Sequence, residues 1–452
     1  MPADITAQSG LVETSPANAL AGAKRSHIRW YVLLLISLMY MITYMDRSNI
    51  SIAAPAIAKE FGFNKTEIAL VFSAFAWAYA AGQVPGGWLA DFFGPKRVLL
   101  VIVPFWSFMT AATAWASGAT SLIVVRFAFG LGEAGAFPTA SRAMQLWFPK
   151  SERGFVQGMT HCFSRLAIAI TPLVAVVIMN AWGWRWIFYI FALLGIAWSV
   201  VFFYFYRNRP EDEARFNAAE LAHIRDTPIG EISPVATQLR SDVPWRAIFT
   251  SPNMWFIAAA YGCFFYGAYF YVSWFPTYLL EFRHLSLNSV GYLASLPLIS
   301  AMFGDLAGGL LTDHVLRKTG NLRLARRVVA APGLLLAALL LIPAGTTDSA
   351  ITAVLCLTAS NFFLELVLGP AWAVPMDVGG TSSGTVTAVM NMVGAIGASI
   401  SPLVFGFLVE RGSWVAPFYV TAAVLASGSL IWIFLIDPEK FVVDRHRPNS
   451  GR

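Results

Sequence analysis

Charged residues and cysteines are both scarce in this chain of 452 residues. Lys, Arg, Asp and Glu make up only 12% of the sequence, whereas 57% is hydrophobic. In a typical soluble domain roughly a quarter of the residues are charged. This chain therefore has too few charged residues to cover a surface exposed to water. The three cysteines, Cys162, Cys263 and Cys356, lie in apolar runs without metal-ligand spacing, and we interpret them as packing residues.

Motifs for catalysis and for export are also missing. The sequence contains neither H-E-x-x-H nor G-x-x-x-x-G-K, the patterns of zinc peptidases and of phosphate-binding loops. Their absence argues against a membrane enzyme, and we expect no cofactor and no metal. Residues 1–29 are polar and have no apolar core, so we predict no cleavable signal peptide.

Long apolar runs recur along most of the chain. Runs of about 18–25 residues can span the hydrocarbon core of a lipid bilayer. We therefore predict an all-α membrane protein in which the bilayer solvates the apolar surface. The twelve predicted transmembrane helices lie near residues 31–56, 68–90, 98–116, 120–142, 155–180, 184–206, 254–280, 290–313, 326–345, 350–375, 384–409 and 415–436.

Basic residues are distributed unevenly among the predicted loops. With both termini in the cytoplasm, the cytoplasmic segments carry 23 of the 31 Lys and Arg residues, and the outer loops carry five. Such an excess of Lys and Arg is typical of cytoplasmic loops, and shifting the helix count by one would destroy it. The net charge of +6 then reflects orientation in the membrane, and no nucleic acid is implied.

An internal repeat relates the two halves of the chain. Ala81–Asp91 aligns with Phe303–Asp313 at an offset of 222 residues, and Pro172 aligns with Pro402 at an offset of 230. In secondary transporters built from two parallel halves, the substrate binds between them near the bilayer midplane. The predicted segments are an N-terminal cytoplasmic tail at 1–29, six-helix halves at 30–206 and 251–437, a cytoplasmic linker at 207–250 and a C-terminal tail at 438–452.

A charged loop follows the second predicted helix. Its sequence GWLADFFGPKR, at Gly87–Arg97, resembles the loop between helices 2 and 3 of the major facilitator superfamily, G-x-x-x-D-x-x-G-x-K/R-K/R. Glycine permits the close approach of two helices, and the acid and the bases can form a cytoplasmic charge latch; an ordinary charged loop is the alternative. The residues expected in the latch are Asp91, Lys96 and Arg97, with Asp313 as the equivalent acid of the second half.

Five further segments indicate a subfamily. They are YMDRSNISIAAP (44–55), RFAFGLGEAGAFP (126–138), WGWRWIFYIFALLG (182–195), WFPTYL (274–279) and GPAWAVPMDVGG (369–380). Together they are similar to the anion:cation symporters of that superfamily, which include permeases for hexuronates, aldonates, glucarate, tartrate and phthalate. The resemblance covers about residues 30–440, and it implies the major facilitator fold and proton-coupled transport of an organic anion.

Four ionisable residues stand within predicted helices 1 and 4. Helix 1 contains Asp46 and Arg47; helix 4 contains Arg126 and Glu133, which are seven residues apart and share a face. Charges at this depth are costly, so they need partners or a function. A structural quartet is one interpretation. The resemblance implies another, in which Asp46 and Glu133 couple transport to protons and the two arginines contact the substrate anion or its coupling network.

Other polar and aromatic residues are candidates for the substrate site. Those we expect to line it are Tyr44, Tyr79, His161, Arg165, Trp372 and Asn391. A packed histidine and a helix-contacting asparagine remain alternatives for His161 and Asn391, and Arg165 either contacts the anion or pairs with a buried acid. Asp305 is expected to serve the gate near Asp313, while Glu365 is either a second proton site or the partner of Arg165.

The sequence therefore predicts a proton-coupled transporter that imports a small organic anion by alternating access. Its substrate is a sugar acid, a tartrate-like diacid or an aromatic acid, and the sequence does not choose among them. The protein is expected to be a monomer in a bacterial inner membrane, with the lipid bilayer, the anion and protons as its only partners. An exchanger, a uniporter or an efflux pump on the same fold is the alternative, and an enzyme or receptor is a more distant one.

Overall fold

Helices make up almost all of the structure, a computed structural model that describes residues 26–63, 65–213, 218–225, 243–286, 289, 292–440 and 442. Each of the twelve predicted transmembrane segments overlaps one long helix. We number these helices α1 Ile28–Phe61, α2 Lys65–Phe93, α3 Pro95–Thr113, α4 Ala119–Trp147, α5 Arg153–Trp182, α6 Trp184–Phe205, α7 Pro252–Ser273, α8 Ser295–Thr319, α9 Leu322–Thr346, α10 Ala350–Val378, α11 Ser383–Glu410 and α12 Ala416–Phe434.

The outer surface of this bundle is apolar. Within the described residues, eleven helices are long and apolar enough to cross a membrane, and α2, with 29 residues, is the other long helix. Trp77, Leu403 and Phe434 are 75%, 73% and 70% exposed. Exposing such side chains to water is unfavourable, whereas a bilayer accommodates them. The predicted fold class is thus confirmed.

Two of the long helices are interrupted near their middle. α4 consists of Ala119–Ala134 and Ala136–Trp147, and α10 consists of Ala350–Glu365 and Leu368–Val378. Each second segment has a proline in its first turn, Pro138 or Pro370. Proline has no N–H group, so it cannot donate a hydrogen bond to the carbonyl group four residues earlier. In both helices that carbonyl group lies at the interruption. The apolar runs predict continuous helices here, whereas the breaks follow Glu133 and Glu365 closely.

The two halves meet through glycine at one face of the bundle. We call it the linker face; it carries the α2–α3, α4–α5 and α8–α9 connections and the short helices described between α6 and α7. A Cβ added at Gly87 of α2 would lie 2.5 Å from the carbonyl oxygen of Gly384 of α11, and one at Gly309 of α8 would lie 2.4 Å from that of Gly154 of α5. The crossings α2–α11 and α8–α5 are equivalent under the repeat, and only glycine fits at these contacts.

Short helices lie between α6 and α7, at Pro210–Asp212, Ala218–Arg225 and Trp245–Thr250. The predicted N-terminal tail, linker and C-terminal tail fall partly outside the described residues, at positions 1–25, 214–217, 226–242, 441 and 443–452. The exact segment boundaries therefore remain predictions.

Candidate functional site

Asp91 closes the linker face between α2 and α11. It accepts hydrogen bonds from the backbone N–H groups of Gly384 and Thr385 at 3.0 and 2.7 Å, and from the Thr385 hydroxyl at 2.7 Å. The first N–H groups of a helix have no partner within it and carry partial positive charge. A carboxylate at this position therefore holds the start of α11 against the end of α2.

Asp313 forms the equivalent contact on the other side of the linker face. It accepts from the backbone N–H groups of Gly154 and Phe155 at 3.1 and 2.6 Å, in the first turn of α5. The structure thus brings Asp91 and Asp313 into matching contacts with the opposite half, in line with the repeat.

The cation beside Asp91 differs from the one expected. Arg142 lies 3.6 Å from its carboxylate, while the Lys96 ammonium lies 5.3 Å from the ring centroid of Phe203 and Arg97 is exposed. Gly94, with φ +83°, turns the chain directly into α3. Lys96 therefore belongs to the first turn of α3 and faces α6, away from Asp91.

Asp313 is linked to a larger charged network that the sequence analysis did not identify. Arg326 of α9 lies 3.1 Å from both Asp313 and Asp377, and Asp377 also accepts from Arg153 at 2.8 Å. The buried carboxylates on both sides of the linker face thus have guanidinium partners. In the sequence, Arg326 is only one of the 23 basic residues of the predicted cytoplasmic segments. Its role is not evident there because its partners lie on other helices.

The four charges of helices α1 and α4 are brought together near the middle of the N-terminal half. Arg47 Nε donates a hydrogen bond to Glu133 Oε1. Asp46 and Arg126 lie close enough to this pair for electrostatic interaction. Asp46 is fully buried, with the Trp106 side chain as a neighbouring hydrogen-bonding group.

Aromatic rings surround both arginines of this group. The rings nearest to the Arg47 guanidinium are Tyr79 at 4.4 Å, Phe137 at 5.1 Å, Tyr44 at 5.2 Å and Phe75 at 5.4 Å. The Arg126 guanidinium lies 4.5 Å from Phe129 and 5.0 Å from Phe75. Ring faces attract cations, so these rings stabilise the guanidinium groups and still leave donors for an anion.

Asn391 connects the two halves in this structure. Its amide nitrogen donates to Gln83 at 2.9 Å and to Tyr79 at 3.3 Å, both on α2. This helix-to-helix contact was the alternative reading of Asn391. Gln83 was not predicted as a site residue, although the repeat aligns it with the polar residue Asp305.

His161 lies in an aromatic group at the boundary between the halves. Its ring centroid is 5.3 Å from that of Tyr40 and 5.1 Å from that of Trp372. The Trp372 indole N–H donates to the Tyr261 hydroxyl at 2.8 Å. Within the described residues, His161 Nε2 has no hydrogen-bond partner, so one polar atom is free to meet a ligand.

Arg165 pairs with acids of the C-terminal half. Its guanidinium donates to Glu365 at 2.5 Å and lies 3.5 Å from Asp305. The pairing with Glu365 is one of the two alternatives that the sequence offered for that acid, whereas Asp305 was expected at the gate. The structure instead places Asp305 beside Arg165, because it lies two helical turns from Asp313 and faces α5 and α10 there.

Arg47 and Arg165 also remain partly exposed, which favours a substrate space that both of them border. Their side chains are 20% and 19% exposed, whereas Glu133, Asp305 and Glu365 are 0–3% exposed. Both arginines belong to the middle of long apolar helices. We refer to the space that they border as the central cavity.

Comparison with known proteins places the chain in a family. The profile described as Major Facilitator Superfamily matches residues 36–402. The chain belongs to the major facilitator superfamily. This superfamily member is 41% identical over 415 residues to a protein named probable sulfoacetate transporter from Cupriavidus necator, covering 91% of this chain and 95% of the relative.

A second relative and a solved structure agree with this placement. The probable galactarate/D-glucarate transporter of Bacillus subtilis is 30% identical over 443 residues, covering 94% of this chain and 96% of its own length. The proton:xylose symporter XylE matches with a TM-score of 0.74 at 13% identity, covering 93% and 98% of the two chains, which supports the fold alone. The resemblance seen in the sequence is thus confirmed.

Proposed function

We propose that this protein imports a small organic anion together with protons, by alternating access to a site in the central cavity. The observation that carries the proposal is the pair formed by Arg47 and Glu133. Guanidinium groups bind carboxylates and other oxyanions with paired hydrogen bonds. An incoming anion and Glu133 therefore compete for the same guanidinium.

This competition supplies a physical basis for coupling. When Glu133 takes up a proton, it no longer attracts Arg47, and the guanidinium becomes available to the substrate. When the substrate leaves, Arg47 returns to Glu133, which then releases its proton. Asp46, which is fully buried and interacts electrostatically with Glu133 and Arg126, is the second acid to which we assign a role in proton transfer.

The substrate class follows from the cavity and from the relatives. Arg47, Arg126 and Arg165 favour anions over cationic drugs, and aromatic rings with a free histidine nitrogen suit a compact polar molecule. The relatives carry names that specify sulfoacetate and galactarate or D-glucarate. We propose a sugar acid or another short organic acid as the substrate.

The contacts at the linker face support alternating access. Asp91 and Asp313 hold helix starts of the opposite half by hydrogen bonds that must break for this face to open. We propose that the face is cytoplasmic, because it carries most basic residues, and that the protein resides in a bacterial inner membrane.

Uptake into proteoliposomes tests this function. A thermal-shift screen with sulfoacetate, D-glucarate, galactarate and D-galactonate first selects a ligand, and its labelled form is then used for transport. An inward proton gradient should drive concentrative uptake, and a protonophore should abolish the accumulation.

The same assay separates the alternatives. Concentrative uptake that survives after the pH gradient and the membrane potential are both dissipated would contradict proton coupling. Uptake that requires a counter-anion inside the vesicles would indicate an exchanger, and equilibration without accumulation would indicate a uniporter.

A further inference from the structure

A second arginine–glutamate pair crosses the boundary between the halves. Arg165 of α5 donates to Glu365 of α10 at 2.5 Å, and its Nε atom lies 3.5 Å from Asp305 Oδ2 of α8. Two carboxylates thus face one guanidinium, and the side chains of the two acids are at most 3% exposed.

This cluster is built like the pair in the N-terminal half. Glu133 and Glu365 both lie at the end of the first segment of an interrupted helix. The arginines that they bind are similarly accessible, with Arg47 20% and Arg165 19% exposed. Tyr44 contacts the Arg47 guanidinium at 5.2 Å and interacts electrostatically with Arg165, so one side chain lies near both guanidinium groups.

The charges of the second cluster do not balance. One guanidinium faces two carboxylates, and close buried carboxylates cannot both remain ionised without a large energetic cost. Asp305 interacts with Arg165 and with Glu365, and among the described residues no well-formed hydrogen bond reaches either of its oxygens or Glu365 Oε2. The cluster becomes neutral when it holds one proton, and these three oxygens offer positions for it.

We propose that Arg165, Glu365 and Asp305 form a second exchange site, which binds the second acidic group of a dianionic substrate and takes up a proton in return. The inference rests on the proposed function. When the acidic group of the substrate pairs with Arg165, the guanidinium no longer neutralises Glu365. Glu365 then takes up a further proton, which neutralises its charge. The first site acts in the same way at Arg47 and Glu133, so two negative charges enter with two protons.

Other titratable groups face this cluster from the helices packed around it. They are His161 and Cys162 of α5, Tyr44 of α1, and Tyr269 and Tyr271 of α7. Histidine is the type among them that ordinarily titrates near neutral pH. The proton count is therefore also measured in a His161→Gln background, in which this alternative source of protons is absent.

Two matched pairs of ligands test the proposal on the full-length purified protein. Sulfoacetate is compared with isethionate, and D-glucarate with D-gluconate; in each pair a hydroxymethyl group replaces one carboxylate. In a pair that binds, the dianion should be preferred by about 10–100-fold, the effect of one charge-assisted contact. Calorimetry in buffers of different ionisation enthalpy should show one more proton taken up with the dianion than with the monoanion.

A double variant tests whether the cluster causes the preference. Arg165→Gln alone would leave two buried acids without a cation, so it is combined with Glu365→Gln, which keeps the net charge of the cluster. The preference should fall to within about twofold, and the extra proton should disappear. The control is Arg323→Gln with Asp437→Asn, which removes a partly exposed ion pair of 2.8 Å outside the cavity and should retain both properties.

Each result decides the question. Equal binding of dianions and monoanions, or a preference that persists in the double variant, would overturn this inference while leaving anion transport intact. Failure of both ligand pairs to bind would contradict it as well. If the proteoliposomes accumulate none of the tested anions in response to protons, the proposed function itself fails, and this inference fails with it.

Discussion

Arg47 and Arg126 differ in their partners, although both are surrounded by aromatic rings. Arg47 donates to Glu133, whereas Arg126 Nε has no hydrogen-bond partner among the described residues and its guanidinium lies against Phe75 and Phe129. A buried donor without a partner is costly. Arg47 Nη2 also lacks a partner among these residues, so an anion that reaches either guanidinium would remove that cost, and we expect Arg126 to contribute to substrate affinity alongside Arg47.

Replacing Arg126 by lysine tests this assignment. Lysine keeps the charge but loses the planar donor group, and binding should weaken by roughly 1–3 kcal/mol. Calorimetric titration of the ligand identified in the thermal-shift screen provides the measurement. Arg185→Lys is the control, because Arg185 pairs with Glu60 at an exposed position. Unchanged affinity in Arg126→Lys would show that a single positive charge is sufficient there.

The sequence predicts individual residues well where the local motif fixes their neighbours. Asp91 was expected in a latch, but its partner Arg142 lies 51 positions away in sequence and became adjacent only through packing of α2 against α4. The pairing of Arg165 with Glu365 likewise depends on the contact between helices of different halves. Such pairs follow from tertiary structure, so the sequence offered Glu365 only as one alternative for Arg165 and did not identify Arg142 as the partner of Asp91.

Close helix crossings at glycine residues determine how the linker face is closed. Gly87 contacts Gly384 so closely that any side chain would overlap backbone atoms. The cost of that overlap applies only while the face is closed. A larger residue therefore favours states in which α2 and α11 separate.

Gly87→Ala should shift the protein toward an open linker face. The added Cβ would lie 2.5 Å from the Gly384 oxygen, and overpacking of this kind typically costs about 1–3 kcal/mol. Spin labels at the exposed positions Arg97 and Arg323, one in each half, should report longer distances. Gly118→Ala is the matched control, since nothing lies within 4 Å of its added Cβ. An unchanged distance distribution in Gly87→Ala would contradict this role of the crossing.

Helix number was predictable from hydropathy, but helix interruptions were not. Apolar runs extend across Gly135 and across Leu366 and Val367, so the sequence analysis expected α4 and α10 to continue. Pro138 and Pro370 gave a possible signal, because proline disrupts the hydrogen bond of the preceding turn. Prolines such as Pro85 and Pro104 nevertheless lie within continuous helices, which explains why the signal was not decisive.

The distribution of charge along the sequence predicts the orientation of the whole molecule. The segments predicted to be cytoplasmic carry 23 of the 31 Lys and Arg residues, an excess that is typical of cytoplasmic loops. A C-terminal green fluorescent protein fusion should fluoresce, and a C-terminal alkaline phosphatase fusion should be inactive. As a control, a phosphatase fusion truncated after Ser117, on the opposite face, should be active. The reverse pattern would invert the proposed orientation.

Coupling between substrate and protons is a property of the whole transport cycle. The membrane potential contributes about 2.3 kcal/mol for each charge moved across 100 mV, so the number of protons determines how strongly the cell can accumulate the substrate. We assign the first proton to Glu133, which lies two helical turns from Arg126. Seven residues of helix span about 10 Å, which is too far for a direct bond within the helix, so Glu133 acts on Arg126 only through their electrostatic interaction.

The most direct test of this central claim measures counterflow and uphill uptake in Glu133→Gln. Glutamine resembles the protonated acid, so the variant should bind substrate and exchange it across the membrane, while accumulation driven by a proton gradient should be lost. Correct folding is checked by thermal unfolding with and without ligand. Loss of counterflow together with uphill uptake in a folded variant would mean that Glu133 shapes the binding site. Retention of both would contradict the assignment and place the coupling proton elsewhere.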